Sequence, residues 1–67
     1  MGLYHNKIKE IRKIKGFTLE EVAQKANISV GYLSHLERGT RKNPSVKIMY
    51  NIACALESTI LKVFFDE

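Results

Sequence analysis

The chain has 67 residues, of which 45% are hydrophobic and 27% are charged, and its formal net charge is +4. This composition excludes a disordered chain, and the length leaves room for one small core but not for a core with a catalytic cleft. The basic excess suits nucleic acid or an acidic surface as a partner. No apolar run reaches the ~18 residues of a membrane span, and the N-terminal residues lack the apolar segment of a secretory signal. We therefore expect one domain over residues 1–67 without membrane contact.

The first predicted helix presents apolar residues at spacings of four and three, namely Tyr4, Ile8 and Ile11. Gly16 is expected to end this helix, because glycine adopts the left-handed C-terminal conformation at the least cost. Lysines give the helix a basic outer face, and both a phosphate-binding and a merely solvated role are open for them. These lysines are Lys7, Lys9, Lys13 and Lys15.

Two short helices joined by a tight turn follow. Thr18 is expected to begin helix 2, and Glu21 completes a capping box three residues later. Asn27 marks the turn, because asparagine tolerates a positive φ better than most residues. Ser29 is expected to cap helix 3, and Gly39 to end it. The residues predicted to face inward are Val22, Ala23, Ala26, Leu33 and Leu36.

Two further helices are predicted after a polar loop over residues 40–44. Ser45 is expected to cap helix 4. The inward residues of helix 4 are predicted to be Val46, Ile48, Met49, Ile52, Ala53 and Leu56, with Cys54 as a small core residue on the same stripe. A short fifth element over residues 59–65 brings Ile60, Val63 and Phe64 to the core. The predicted fold is all-α, a single domain of about five short helices.

The outer face of helix 3 is small or polar, and it consists of Ser29, Val30, Gly31, Ser34 and His35. Such a face can enter the DNA major groove, which is about 12 Å wide. His35 can donate to a base acceptor or accept from an amino group, and Val30 can contact a thymine methyl. The alternative is an ordinary solvated helix face.

Between Arg38, near the end of helix 3, and Lys47, near the start of helix 4, there are four basic residues and no acidic one. They are Arg38, Arg41, Lys42 and Lys47. A basic loop in this place would lie against the sugar–phosphate backbone if helix 3 entered the groove. An ordinary solvated loop is the alternative.

Four segments carry a family resemblance: IKEIRKIKGFT, LEEVAQKANIS, GYLSHLERG and NPSVKIM. The chain resembles the Cro/C1-type helix–turn–helix domains of the XRE family, which includes the lambdoid phage repressors. The resemblance extends from about Tyr4 to Phe64. It implies a five-helix, lambda-repressor-like domain with its helix–turn–helix at about residues 18–38.

The resemblance also implies roles for individual residues. Base reading falls to Val30, Gly31 and His35. Contacts with the DNA backbone or groove edge fall to Ser29, Tyr32, Thr40, Arg41, Lys42 and Asn43, although Tyr32 is equally well explained as a packing residue. The outer face of helix 3 adds Ser34 to these contacts. Arg12 and Glu37 occupy the positions of a structural ion pair. The chain departs from the family at Leu19, where many relatives have a phosphate-binding glutamine, and at Glu57, where glycine is usual.

Helix 5 carries two further apolar residues, Leu61 and Phe65. They are candidates for an exposed patch through which two copies form a two-fold dimer. Such a dimer would place two recognition helices about 34 Å apart and favour a palindromic operator. The alternative is that both residues complete the small core.

These patterns predict a DNA-binding transcription regulator of the cytoplasm, a homodimeric repressor bound to double-stranded DNA. An antitoxin that binds a toxin, a protein antagonist as a partner, and a protein-interaction module are the alternatives. Catalysis and cofactors are not expected. The lone Cys54 does not suit a disulfide framework, and His5, His35 and Cys54 lack metal-ligand spacing.

Overall fold

The computed structural model describes residues 6–40 and 44–65. The described ranges contain helices and no strand. The helices are α1 (Ile8–Ile14), α2 (Leu19–Ala26), α3 (Val30–Arg38), α4 (Val46–Ala55) and α5 (Ile60–Phe64). The prediction of an all-α, five-helix domain is confirmed. Tyr4, predicted on the first helix, lies outside the described residues.

Hydroxyl caps set where four of the helices begin. The Thr18 hydroxyl accepts from the Glu21 amide at 3.0 Å, and the Glu21 carboxylate accepts from the Thr18 amide at 2.8 Å. This is the capping box that the sequence predicted. Ser29, Ser45 and Thr59 cap α3, α4 and α5 in the same way. Each cap satisfies an amide that has no partner within its helix.

Residues with a positive φ lie at the turns that follow four of the helices. The sequence predicted Gly16, Asn27 and Gly39, and their φ values are 76°, 61° and 76°. The fourth is Glu57, whose φ is 57°. Glu57 therefore keeps the left-handed backbone of the glycine that is usual there, at a steric cost of about 1 kcal/mol. The Lys15 ammonium lies over this turn and donates to the carbonyls of Leu56 and Glu57 at 2.8 and 2.6 Å.

The core lies where α2, α3 and α4 meet and is closed by α1 and α5. Its buried residues are Ile8, Val22, Ala23, Ala26, Leu33, Leu36, Ile52, Ala53, Ala55, Leu56 and Val63. Half-buried Ile60 and Phe64 pack against them from α5. The buried side chains of α2 and α3 are those predicted to face inward. The core consequently fixes both helices of the motif and leaves the opposite side of α3 to solvent.

The prediction was wrong for two residues of α4. Val46 is 69% exposed, and Cys54 is also exposed. Cys54 follows buried Ile52 by two residues, which places it about 200° around the helix, on the outer side. Val46, Tyr50 and Cys54 are spaced by four residues, and we call them the α4 outer stripe. A hydrogen bond with Cys54 raises the pKa of the Tyr50 hydroxyl above its usual 10.0.

Candidate DNA-binding interface

An ion pair fixes the C-terminal end of α3 against α1. The Arg12 guanidinium donates from Nε to Glu37 Oε2 at 2.7 Å and from Nη2 to Oε1 at 3.2 Å. Its third nitrogen, Nη1, donates to the Phe17 carbonyl at 3.2 Å. The side chains of Arg12 and Glu37 are only 12% and 8% exposed. A two-pronged contact of this kind fixes direction as well as distance, so the orientation of α3 is determined.

A second contact reaches the same end of α3 from the start of α1. The Asn6 side chain donates to the Leu36 carbonyl at 2.9 Å and accepts from the Ile8 amide at 3.1 Å. It therefore satisfies a carbonyl near the end of one helix and an amide near the start of another. Together with the ion pair, it holds one side of α3 against the protein.

The other side of α3 faces solvent and brings the predicted base-reading residues together. Val30 is 38% exposed, and Gly31 and His35 are also exposed. A Cβ added at Gly31 would meet no atom within 4 Å, so the surface is open there. Ser29 at the helix start is exposed, and its hydroxyl caps the Tyr32 amide. The backbone of α3 is accordingly accessible along this face.

Other residues with predicted DNA contacts lie at the edges of the exposed face or beyond the described residues. Ser34 and Tyr32 are half-buried, and Tyr32 packs against the core, as its alternative interpretation expected. Thr40 is exposed directly after α3. Arg41, Lys42 and Asn43 lie outside the described residues.

A polar network links side chains on this exposed face. Arg38 donates to the Ser34 hydroxyl at 3.0 Å, and its Nη2 lies 3.3 Å from His35 Nδ1. The Thr40 hydroxyl lies 2.8 Å from the same ring nitrogen and 3.2 Å from the His35 carbonyl. The sequence indicated Arg38 only as a member of the basic run and not as a residue of this face. The spacings of four from Ser34 and three from His35 could have indicated it.

Some basic and apolar residues in and next to α1 and α2 make structural contacts, whereas others remain exposed to solvent. The Lys15 ammonium donates to backbone carbonyls of the turn after α4. The Lys25 ammonium lies 4.8 Å from the centre of the Phe17 ring, a cation–π contact. Leu19, at the position where many relatives have a glutamine, packs against the core. Lys9 and Lys13 remain exposed on the outer face of α1.

Two apolar side chains, one in α5 and one directly after it, are exposed to solvent. Leu61 and Phe65 are 57% and 56% exposed. The alternative that they complete the core is therefore wrong. Exposed apolar side chains of this size are candidates for an interface.

Among the described residues, no three His, Cys, Asp or Glu side chains are grouped so that they could hold a metal ion. In the same part of the chain, no helix is both long and apolar enough to cross a membrane. The outer face of α3 offers hydrogen-bonding groups and exposed backbone on a helix whose inner face is packed against the core.

Residues 8–63 match the family model described as helix-turn-helix. The chain belongs to the XRE family of Cro/C1-type helix–turn–helix proteins. Members of this family are DNA-binding transcription regulators.

Two named relatives are similar over most of the chain. The HTH-type transcriptional regulator SinR of Bacillus subtilis is 37% identical over 54 residues, which are 81% of this chain and 49% of SinR. The immunity repressor protein of Bacillus phage phi105 is 38% identical over 61 residues, 91% of this chain and 42% of the repressor. The chain thus spans about half the length of the curated relatives it matches.

Solved structures of SinR have the same fold. One is SinR in complex with DNA, with a TM-score of 0.75 and 37% identity, covering 81% of this chain and 86% of that one. Another is a SinR–SinI complex, with a TM-score of 0.77 and 36% identity, covering 84% of this chain and 54% of that one. SinR therefore combines this fold with DNA binding and with a protein partner.

We predict that Glu37→Gln lowers the free energy of unfolding by about 3 kcal/mol, because it leaves the nearly buried Arg12 cation without its counter-charge. Urea unfolding followed by circular dichroism measures the change. Glu20→Gln, an exposed carboxylate in α2, is the matched control and should cost less than about 1 kcal/mol. Equal losses in the two variants would show that the ion pair does not hold α3.

Proposed function

We propose that this protein is a sequence-specific DNA-binding transcription regulator that acts as a repressor. The observation that carries the proposal is the outer face of α3, which exposes Val30, Gly31 and His35 while the opposite face is fixed in the core. The major groove admits a helix of this width and presents a distinct pattern of donors, acceptors and methyl groups for each base pair.

Each base-reading residue has a chemical role in the proposal. Val30 offers a branched apolar surface to a thymine methyl, and His35 offers a ring nitrogen to a base edge. Gly31 has no side chain, so it brings the helix backbone close to the groove without reading a base. Readout from so few side chains leaves part of the specificity to DNA shape.

Backbone contacts in the proposal surround this face. They involve Ser29, Tyr32, Ser34 and Thr40, and also Arg41, Lys42 and Asn43. The net charge of +4 supports these contacts, because phosphate neutralisation supplies much of the affinity of DNA-binding proteins. In this proposal residues 1–67 form one domain that acts in the cytoplasm.

The relatives support the two parts of this function separately. The SinR structure with DNA supports DNA as the ligand of the fold. The name of the phage immunity repressor supports repression as the outcome. A repressor needs only to occupy its operator, for which a small helical domain suffices.

We also propose that two copies form a homodimer through Leu61 and Phe65. Their exposure on α5 supports an isologous contact in which the same patch of each copy packs on the other. A two-fold dimer would match a palindromic operator with half-sites about 34 Å apart.

A protein antagonist or toxin is a second proposed partner. The SinR–SinI complex supports it, because that relative combines this fold with a protein partner. The α4 outer stripe supports it as well, since Val46 and Tyr50 are 69% and 57% exposed and apolar. An antitoxin or a protein-interaction module would use such a surface, whereas DNA binding does not require it.

Selection of bound sequences from random duplex DNA tests the proposed function. On the selected site, we predict that His35→Ala weakens binding by ~1–3 kcal/mol and leaves binding to random duplexes almost unchanged. Fluorescence anisotropy at one fixed salt concentration measures both. Equal weakening on the two kinds of DNA would contradict base reading by His35, and failure to enrich any sequence would contradict the proposed function.

We predict that Lys42→Ala weakens binding to all sequences alike and lowers the slope of log K against log salt by about 1. The matched control is Lys62→Ala, which removes the same charge from α5 and should leave the slope unchanged. The measurement is a salt titration of DNA binding with both variants. Equal slopes for wild type and Lys42→Ala would remove this lysine from the backbone contacts.

We predict that Leu61→Lys weakens self-association at least about tenfold, because the interface would then bury an unpaired charge. Sedimentation at tens of micromolar measures the change. Tyr50→Lys, placed on the α4 outer stripe, is the matched control and should leave the dimer intact. The proposed contact would be refuted by a wild-type monomer, or by a dimer that only Tyr50→Lys disrupts.

A further inference from the structure

The position of the proton on His35 decides what this residue can read. A neutral imidazole has one N–H donor and one acceptor nitrogen. A donor toward the groove suits N7 of a purine, O6 of guanine or O4 of thymine, whereas an acceptor suits the amino groups of adenine and cytosine. The surroundings of the ring determine which of the two applies.

The Arg38 guanidinium constrains one ring nitrogen directly. Its Nη2 lies 3.3 Å from His35 Nδ1, while its Nη1 donates to the Ser34 hydroxyl at 3.0 Å. A guanidinium has only donors and does not lose its proton in proteins. Nδ1 must therefore act as the acceptor toward Arg38, which places the ring proton on Nε2.

The contact with Thr40 is compatible with two proton arrangements. At 2.8 Å from Nδ1, the Thr40 hydroxyl can donate to the ring, in which case it shares the Nδ1 lone pair with Arg38. Alternatively, Nδ1–H could donate to the hydroxyl while the hydroxyl donates to the His35 carbonyl at 3.2 Å. The second arrangement would turn a ring N–H toward the donors of Arg38. Arg38 thus decides between the two.

The contacts of Nδ1 leave Nε2 as the ring nitrogen that can bind a ligand. Nδ1 faces Arg38 and Thr40, and Nε2 lies on the far side of the ring. Among the described residues Nε2 has no hydrogen-bond partner, and the side chain is exposed. A donor in this position is available to a ligand in front of α3.

We propose that Arg38 is a positioning residue that holds His35 in the Nε2–H tautomer, so that His35 donates to a base acceptor and does not accept from an amino group. The base contact in this inference rests on the proposed function, whereas the tautomer of His35 does not. The residue acts through His35 and needs no contact with the bases itself.

Nitrogen NMR of the free protein with ¹⁵N-labelled histidine, at about pH 8 where an ordinary imidazole is neutral, tests the tautomer. Wild type should show Nε2–H, and Arg38→Ala should shift His35 toward Nδ1–H, because Thr40 then accepts from the ring. Thr40→Val and the charge-matched control Lys47→Ala should both keep Nε2–H. An unchanged tautomer in Arg38→Ala, or a shift in Thr40→Val instead, would overturn the role of Arg38.

Modified bases in the selected DNA site test the contact. Replacing purines by 7-deazapurines, guanine by 6-thioguanine and thymine by 4-thiothymine, one at a time, should weaken wild-type binding about tenfold at one position, and His35→Ala should abolish that loss. N4-methylcytosine and N6-methyladenine should show no loss that depends on His35. A His35-dependent loss with a methylated amino group would refute the donor role. Absence of any DNA binding would refute the base contact together with the proposed function, whereas the NMR result would still decide the role of Arg38.

Discussion

The orientation of α3 depends on the two-pronged ion pair between Arg12 and Glu37. Burial of apolar side chains is non-directional, so Leu33 and Leu36 can hold α3 in the core without fixing the angle of its outer face. Arg12 supplies that angle, because two of its donors meet the Glu37 carboxylate and a third meets the carbonyl of Phe17, next to the start of α2. One side chain therefore connects α1, the entry to α2 and the end of α3.

In this arrangement, the contacts that fix α3 lie on its inner side, and the groups that a ligand could reach lie on its outer side. The inner side makes the apolar contacts, the ion pair and the bond from Asn6, and the outer side exposes Val30, Gly31 and His35 together with the polar side chains around them. The outer side is also partly organised before any ligand arrives, since Ser34, Arg38, His35 and Thr40 are joined by hydrogen bonds. A preorganised side chain loses less conformational entropy when it binds. If this face reads bases as proposed, Gly31 at its centre leaves few side chains to discriminate among them.

Local chemistry made much of the fold predictable from the sequence. The caps at Thr18, Ser29 and Ser45 and the positive φ values at Gly16 and Asn27 follow from residue type and spacing, and the structure has all of them. The family resemblance supplied the pairing of two residues 25 positions apart, which spacing along one helix could not indicate.

Features that depend on three-dimensional neighbours were harder to predict. Hydrophobicity placed Val46 and Cys54 in the core, but α4 buries only the side that meets its neighbours, so both lie outside. Arg38 was read as one charge in a basic run, because the sequence does not show which acceptors its guanidinium meets. The same limit applied to Leu61 and Phe65, whose burial depended on how much of α5 the core covers.

Chemical-shift mapping of the ¹⁵N-labelled protein during titration with its selected duplex shows whether α3 is the helix that meets DNA. We expect the largest amide shifts in residues 29–40, at the start and outer face of α3 and just beyond it, and smaller shifts there with a scrambled duplex of equal length. Shifts centred on the α4 outer stripe or on α5, with α3 unaffected, would contradict the assignment of α3 as the DNA-reading helix.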